Sequence, residues 1–180
     1  DATESSPPSP ISPYGYHKVA AENECEAYSN FFDAPTSIVR LFSVYGEELR
    51  KQLLWDALNK YQAGHQDFFG TGDEIRDWIH VEDAADLLTT AALAKQSGLE
   101  LYNGGHEQMT IREVLRLLAK AYGSDGEPKF NGKTHTGNPR RLSANYNHTS
   151  RSLGWTPKIT LSEGIPRYVE WFSGQVVGKT

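Results

Sequence analysis

An apolar stretch directly after a helix constrains the fold of this chain more than any other feature. Residues 36–46 read TSIVRLFSVYG, which is rich in apolar and β-branched side chains and lacks a clean alternation of apolar and polar residues. Such a strand is typical of a parallel sheet that is covered on both faces. Residues 14–32 contain good helix formers, and this pattern ends at Asp33-Ala34-Pro35. A helix that leads into a buried strand predicts the second half of a crossover unit, and therefore an α/β fold.

Helices and short strands alternate along the rest of the chain. We predict helices over residues 51–62, 82–94 and 110–123, and short strands within DFFGTGDEIRDWIHV and LELYNGG. Thr110 and Glu113 have the spacing of a capping box, which predicts that the third of these helices begins there.

Charge and composition exclude several classes of function. The formal net charge of −5 disfavours a nucleic acid or an anionic membrane as the main partner. The single cysteine, Cys25, cannot form an internal disulfide, which suits the cytosol, so we expect a cytoplasmic protein. The apolar runs are far shorter than a membrane span, so we expect no membrane partner. The six histidines lack paired ligand spacing, and we predict no metal site.

The segment SPYGYHK at residues 12–18 places Tyr14 and Lys18 four residues apart on the first predicted helix. Positions i and i+4 of a helix lie on one face, about 5–6 Å apart at Cβ. A nearby ammonium group favours the phenolate form of a tyrosine. Such a tyrosine can remove a proton from a sugar hydroxyl while hydride leaves the same carbon. The bare pair is weak evidence, because this spacing also arises by chance.

Five motifs in a fixed order raise the significance of this pair. They are SPYGYHKVAAE, IVRLFSVYGE, FFGTGDEIRDWIHVEDAADLL, YNGGHEQMTIREV and LGWTPKITLSEGI. Together they resemble the extended short-chain dehydrogenase/reductases, in particular the NAD-dependent epimerase/dehydratase proteins that act on nucleotide sugars. The resemblance covers residues 8–173. It implies that Tyr14 is the catalytic acid/base, that Lys18 holds the nicotinamide ribose, and that Leu41 and Phe42 also lie at the cofactor.

The resemblance also implies a nucleotide-sugar site assembled from separate segments. Arg76 is expected to bind the diphosphate, with an ion pair to a neighbouring carboxylate (Asp73, Glu74 or Asp77) as the alternative. Ser43 stands where many sugar epimerases have an asparagine that contacts the substrate. A hydroxyl has fewer hydrogen-bonding groups than an amide, so the identity of the sugar stays undetermined. The remaining expected substrate-binding residues are Gln52, Leu53, Asn138, Arg140 and Arg141. Core packing is the alternative for Leu53.

The resemblance suggests an α/β fold made of the distal part of a Rossmann-type parallel sheet domain and a small mixed α/β lobe that binds the substrate. We assign residues 1–46 to the former and residues 47–173 mainly to the latter. Residues 82–94 are expected to pack back on the Rossmann part, and residues 174–180 to form a tail. The helix Tyr14–Phe32 is the expected contact in a homodimer.

The 180 residues contain no Gly-rich phosphate loop, because GTG at 70–72 lacks the required spacing. We therefore expect the chain to be the C-terminal portion of an NAD-dependent nucleotide-sugar 4-epimerase, with little activity by itself. A 4-ketoreductase, a 4,6-dehydratase and a non-catalytic substrate-binding fragment stay open as alternatives. The residues that select NAD over NADP follow the second strand of the family fold, so both cofactors also stay open.

Overall fold

The computed structural model describes residues 1–177 and has the predicted α/β architecture. The helices are α1 (Pro13–Phe32), α2 (Gln52–Gln62), α3 (Val81–Leu93), α4 (Ile111–Tyr122), α5 (Asn147–Leu153) and α6 (Leu161–Val177). The strands are β1 (Thr36–Leu41), β2 (Ser43–Tyr45), β3 (Asp67–Phe68), β4 (Ile75–His80), β5 (Leu99–Gly104), β6 (Glu107–Thr110), β7 (Lys129–Phe130) and β8 (Arg141–Leu142).

The apolar stretch at residues 36–46 forms two strands, so the prediction of one continuous strand was wrong. Strand β1 pairs in parallel with β5, whereas β2 pairs in parallel with β4. The break falls at Phe42, whose backbone N–H donates to the carbonyl oxygen of Gly104 at 3.1 Å. Strand β4 also pairs with β6 in antiparallel and with β8 in parallel orientation. One short segment thus passes from one sheet to the next and links them.

Helices α2, α4 and α6 enclose the larger of the two apolar cores. Leu58, Leu115, Leu118 and Phe172 are among its most buried side chains. The amphipathic spacing of these residues explains why the three helices pack together.

The capping box predicted for α4 is present. The Thr110 hydroxyl accepts from the backbone N–H of Glu113 at 3.2 Å, and the Glu113 carboxylate accepts from the backbone N–H of Thr110 at 2.9 Å. Two of the free N–H groups at this helix end are satisfied in this way.

Helices α1 and α3 both pack against β1, and α3 also contacts β2 and β4. The pairing of β5 with β1 brings residues 99–104 into the sheet that contains residues 36–41. The division at residue 46 stays a prediction. Helix α6 continues to Val177, so residues 174–177 of the predicted tail are helical, and residues 178–180 lie outside the described residues.

Candidate active site

Four of the predicted substrate-binding residues line one cavity of about 130 Å³, here called the β2–α2 cavity. They are Ser43, Gln52, Leu53 and Arg76. The parallel pairing of β2 with β4 places Ser43 opposite Trp78, two residues after Arg76. Residues two apart on a strand face the same side, so Arg76 and Trp78 share a face of β4. Sheet pairing therefore brings together side chains that are more than 30 positions apart in the sequence.

The Arg76 guanidinium forms no ion pair within 4.0 Å among the residues that the structure describes. Its Nη1 donates to the backbone oxygen of Ile75 at 2.7 Å, and its Nη2 donates to the side-chain oxygen of Asn138. Burial lowers the pKa of Arg76 below its ordinary value, while the charge of Glu74 acts in the opposite direction. A half-buried cation without a carboxylate contact is suited to an anionic ligand.

The three neighbouring carboxylates have other partners. Glu74 accepts from the backbone N–H groups of Thr71 and Gly72, which lower its pKa against the effect of burial. Asp77 accepts from the backbone N–H groups of His106 and Ala144, at 2.6 and 2.9 Å.

Asp73 lies 3.6 Å from the guanidinium of Arg112. All three carboxylates thus have other partners, and the ion pair considered as the alternative for Arg76 is absent within 4.0 Å in this structure.

Asn138 and Arg140 line a second cavity of about 230 Å³, together with Thr71, Glu74 and His135. Arg76, which lines the β2–α2 cavity, donates a hydrogen bond to Asn138 of this second cavity, so the linings of the two cavities are in contact.

Arg141 is placed elsewhere. Its guanidinium donates to Asp1 at 2.8 Å and to Ser143 at 3.0 Å, and it also contacts Gln108. In this conformation the side chain of Arg141 is held within a surface network, and Arg140 is the arginine that lines the second cavity.

Tyr14 and Lys18 lie in the first turns of α1, which begins after the N-cap residue Ser12. The Nζ of Lys18 is 5.4 Å from the centre of the Tyr14 ring, and the Tyr14 side chain is 70% exposed. Neither residue lines the two cavities just described. The loop that carries Asn138 does border the start of this helix, because a Cβ atom at Gly137 would lie 3.4 Å from the Cβ of Ser12.

Leu41 and Phe42 are partly buried at the end of β1, against which α1 packs. The exposed Tyr14–Lys18 pair presents a phenol and a cation that are open to a ligand such as the nicotinamide end of NAD. The described residues contain no Gly-rich loop for the pyrophosphate. The assignments of Tyr14, Lys18, Leu41 and Phe42 to the cofactor stay predictions.

Among the contributions to the β2–α2 cavity that sequence reasoning missed, two come from segments outside the predicted site. One is the loop after β2, from which Gly46, Leu49 and Lys51 line the cavity. The other is Tyr168 of α6, which is 1% exposed. The apolar pattern of α6 indicates a core helix and contains no signal for a cavity that is lined mainly by residues 43–78.

Within residues 1–177, no group of three or more His, Cys, Asp and Glu side chains is arranged to hold a metal ion. None of the described helices is both long enough and apolar enough to cross a membrane.

A sequence model of the NAD dependent epimerase/dehydratase family matches residues 1–105, which is more than half of the chain. This chain belongs to that family. The family predicted from the sequence is therefore confirmed, together with its Rossmann-like α/β fold and NAD as the cofactor of the family.

Curated relatives include enzymes of two kinds. The dTDP-glucose 4,6-dehydratase of Shigella flexneri is 31% identical over 183 residues, which cover 94% of this chain and 50% of that protein. The UDP-glucose 4-epimerase of Mycolicibacterium smegmatis is 30% identical, over 94% of this chain and 56% of that protein. The chain thus spans about half the length of these relatives.

Solved structures show the same likeness. The UDP-glucose 4-epimerase of Thermotoga maritima, solved with UDP-glucose, has a TM-score of 0.88 and 26% identity over 97% of this chain and 58% of that chain. The UDP-glucuronic acid 4-epimerase of Bacillus cereus, in complex with UDP-glucuronic acid and NAD, has a TM-score of 0.89 and 26% identity. It is matched over 97% of this chain and 56% of its own.

Proposed function

We propose that this chain is part of an NAD-dependent enzyme that epimerises a nucleotide sugar at C4. The observation that carries the proposal is the β2–α2 cavity, where Ser43, Gln52 and Leu53 surround a guanidinium without a carboxylate contact. The names of the related epimerases support the same class of substrate.

Arg76 binds the diphosphate of the substrate in this proposal. A guanidinium can donate two parallel hydrogen bonds to phosphate oxygens, and a partly desolvated cation gains more from an anion than one in bulk water. Asn138 already accepts from Nη2, so it holds the guanidinium at the junction of the two cavities. Arg140, which lines the second cavity, adds positive charge on the same side.

Tyr14 removes the proton of the C4 hydroxyl and later returns it, and Lys18 favours the phenolate form during this step. NAD, when bound, supplies the hydride acceptor and donor. The side chain of Tyr14 is exposed at the start of α1, so a substrate can reach its hydroxyl. Lys18 lies one turn further along the same helix, which fixes its distance from the tyrosine.

A 4,6-dehydratase is the second candidate, because dTDP-glucose 4,6-dehydratases stand among the curated relatives at 30–31% identity. The same Tyr14–Lys18 pair serves the first oxidation in either reaction. The elimination that follows in a dehydratase needs an additional acid and base near the sugar C5 and C6 atoms.

The two functions are separated by product analysis of the whole protein with NAD. Incubation with UDP-glucose should yield the C4 epimer, which NMR of the sugar protons detects. Incubation with dTDP-glucose that instead yields a 4-keto-6-deoxy sugar would select the dehydratase. Absence of both products, together with no binding of UDP or dTDP, would overturn the proposed class of substrate.

A homodimer through α1 belongs to the same proposal. Tyr28, Phe31 and Phe32 on this helix are 60%, 83% and 69% exposed, and such a patch favours a protein contact. Light scattering of the whole protein should give the mass of a dimer, and Phe31→Lys should shift it towards the monomer. A monomeric mass for the unaltered protein would contradict this contact.

A further inference from the structure

Residues 46–51 connect β2 to α2 and form one wall of the β2–α2 cavity; they are here called the cavity loop. The backbone of this region is unusual. Glu48 has a φ of 67°, and Gln52, which follows the loop, has a φ of 68°. Left-handed conformations are unfavourable for residues that carry a Cβ atom, and they persist where the surrounding structure holds them. The cavity loop therefore depends on contacts from outside.

Helix α6 makes the central contacts to this loop. The Tyr168 hydroxyl donates to the backbone oxygen of Leu49 at 2.7 Å, and the Trp171 Nε1 donates to a carboxylate oxygen of Glu48 at 3.0 Å. The rings of Tyr168 and Trp171 stack on each other with their centres 5.5 Å apart. Glu48 and Leu49 are thus held in place by Trp171 and Tyr168, whose rings also pack against each other.

The next residues on either side of these contacts are held by the same helix. Arg167 donates from Nε to Glu47 at 3.0 Å. Arg50 donates to Gln175 at 2.7 Å. Positions 167, 171 and 175 are four residues apart and lie on one face of a helix. Four consecutive residues of the cavity loop, 47–50, are therefore supported by a single helix face.

Another face of α6 is buried in the larger apolar core. Ile165, Tyr168 and Phe172 are at most 2% exposed, and α6 packs on α4. The Trp171 ring also lies 5.9 Å from that of Trp55 in α2, centre to centre. The support for the cavity loop is consequently continuous with the larger apolar core.

We propose that Tyr168 and Trp171 are positioning residues for the nucleoside diphosphate: they hold Glu48 and Leu49 of the cavity loop in place and so maintain the wall of the cavity in which Arg76 lies. This inference rests on the proposed function, because it takes the β2–α2 cavity as the diphosphate site. Helix α6 thereby acts on affinity through residues 47–50, although Tyr168 also lines the cavity directly. Trp171 is not itself a lining residue of the cavity.

The test uses Tyr168→Phe and Trp171→Phe in the whole protein, with Tyr61→Phe as the matched control. Tyr61 also donates its hydroxyl to a buried backbone oxygen, that of Leu115 at 3.1 Å, in the same apolar core but away from the cavity. The Kd for UDP is measured by isothermal titration, and amide hydrogen exchange is followed at residues 47–51. Melting temperatures show whether the Tyr168 and Tyr61 variants lose comparable stability.

Both α6 variants should raise the Kd for UDP about three- to tenfold, as expected when one hydrogen bond that holds the loop is lost. Exchange at residues 47–51 should become faster in these variants and stay unchanged in the Tyr61 variant, whose Kd should also be unchanged. If the unaltered protein binds UDP, and the α6 variants bind it equally well, the inference is wrong and the proposed function stands. If the unaltered protein binds neither UDP nor dTDP, the proposed function fails, and this inference fails with it.

Discussion

Replacement of Arg76 by lysine separates a diphosphate site from a structural arginine. In the structure the guanidinium donates to the backbone oxygen of Ile75 and to Asn138, and burial lowers its pKa more than the charge of Glu74 raises it. Lysine keeps the charge, but it presents a compact ammonium group that cannot grip two phosphate oxygens in one plane.

The expected changes in affinity and stability follow from the hydrogen bonds that the Arg76→Lys substitution removes. One charge-assisted hydrogen bond to a phosphate oxygen contributes about 1.5–3 kcal/mol, so its loss should raise the Kd for UDP about 10- to 150-fold. The bonds to Ile75 and Asn138 are also lost, which should lower the free energy of unfolding by about 1–3 kcal/mol. The effect on affinity should therefore accompany a measurable effect on stability.

Arg112→Lys provides the control for that loss of stability. Arg112 also donates to a backbone oxygen, that of Thr71 at 2.6 Å, and its guanidinium lies 4.5 Å from the centre of the Phe130 ring. The assay is isothermal titration of UDP into the whole protein, with chemical unfolding of the same samples. An unchanged Kd in the Arg76 variant would refute the diphosphate site. Equal increases in Kd in both variants would assign the effect to the stability of the surrounding loop.

Four further predictions concern the helix α1, the cofactor and the cap of α4. Tyr14→Phe in the whole protein should lower kcat about 10²–10⁴-fold and leave KM nearly unchanged, since only the transferable proton is lost; a kcat within a few-fold of the parent would make Tyr14 a packing residue. Because residues 1–180 contain no Gly-rich phosphate loop, this chain by itself should bind NAD weakly and show little activity; tight binding in isothermal titration would contradict this. Arg40 donates to both carboxylate oxygens of Glu22, at 2.8 and 2.6 Å, so Arg40→Lys should lower the free energy of unfolding by about 1–2 kcal/mol in urea unfolding. The hydroxyl and backbone N–H of Thr110 hold the pKa of Glu113 below its ordinary value of about 4.3, so this carboxylate stabilises the fold above that pH and less as the pH falls through its lowered pKa; Glu113→Gln should flatten the acid side of a plot of stability against pH.

The features that could be predicted from the sequence alone are those that depend on interactions between residues close together in the chain. The helix over residues 13–32 ends at the predicted Asp33, because the proline that follows prevents its continuation. The capping box at Thr110 forms because both partners lie within one helical turn. The family could be predicted because five motifs retain their order along the chain, and each motif is local.

The tertiary structure decided which strands pair and which charges meet. An apolar stretch does not encode its partner strand, so the break at Phe42 and the separate pairing of β1 and β2 could not be predicted from residues 36–46. The same holds for Arg140 and Arg141, which are adjacent in the sequence. One lines a cavity, and the other pairs with Asp1, 140 positions away.

The wall of the β2–α2 cavity is the clearest case of a long-range effect. Ser43 and Arg76 could be assigned to one site because they lie in motifs of the family, and Gln52 because it opens the helix that follows the first of these motifs. Tyr168 and Trp171 carry no such signal, since their spacing only predicts a buried helix face. Their contacts to Glu48 and Leu49 arise when α6 packs on α4, which places that face beside a loop in which the left-handed residue Glu48 needs support.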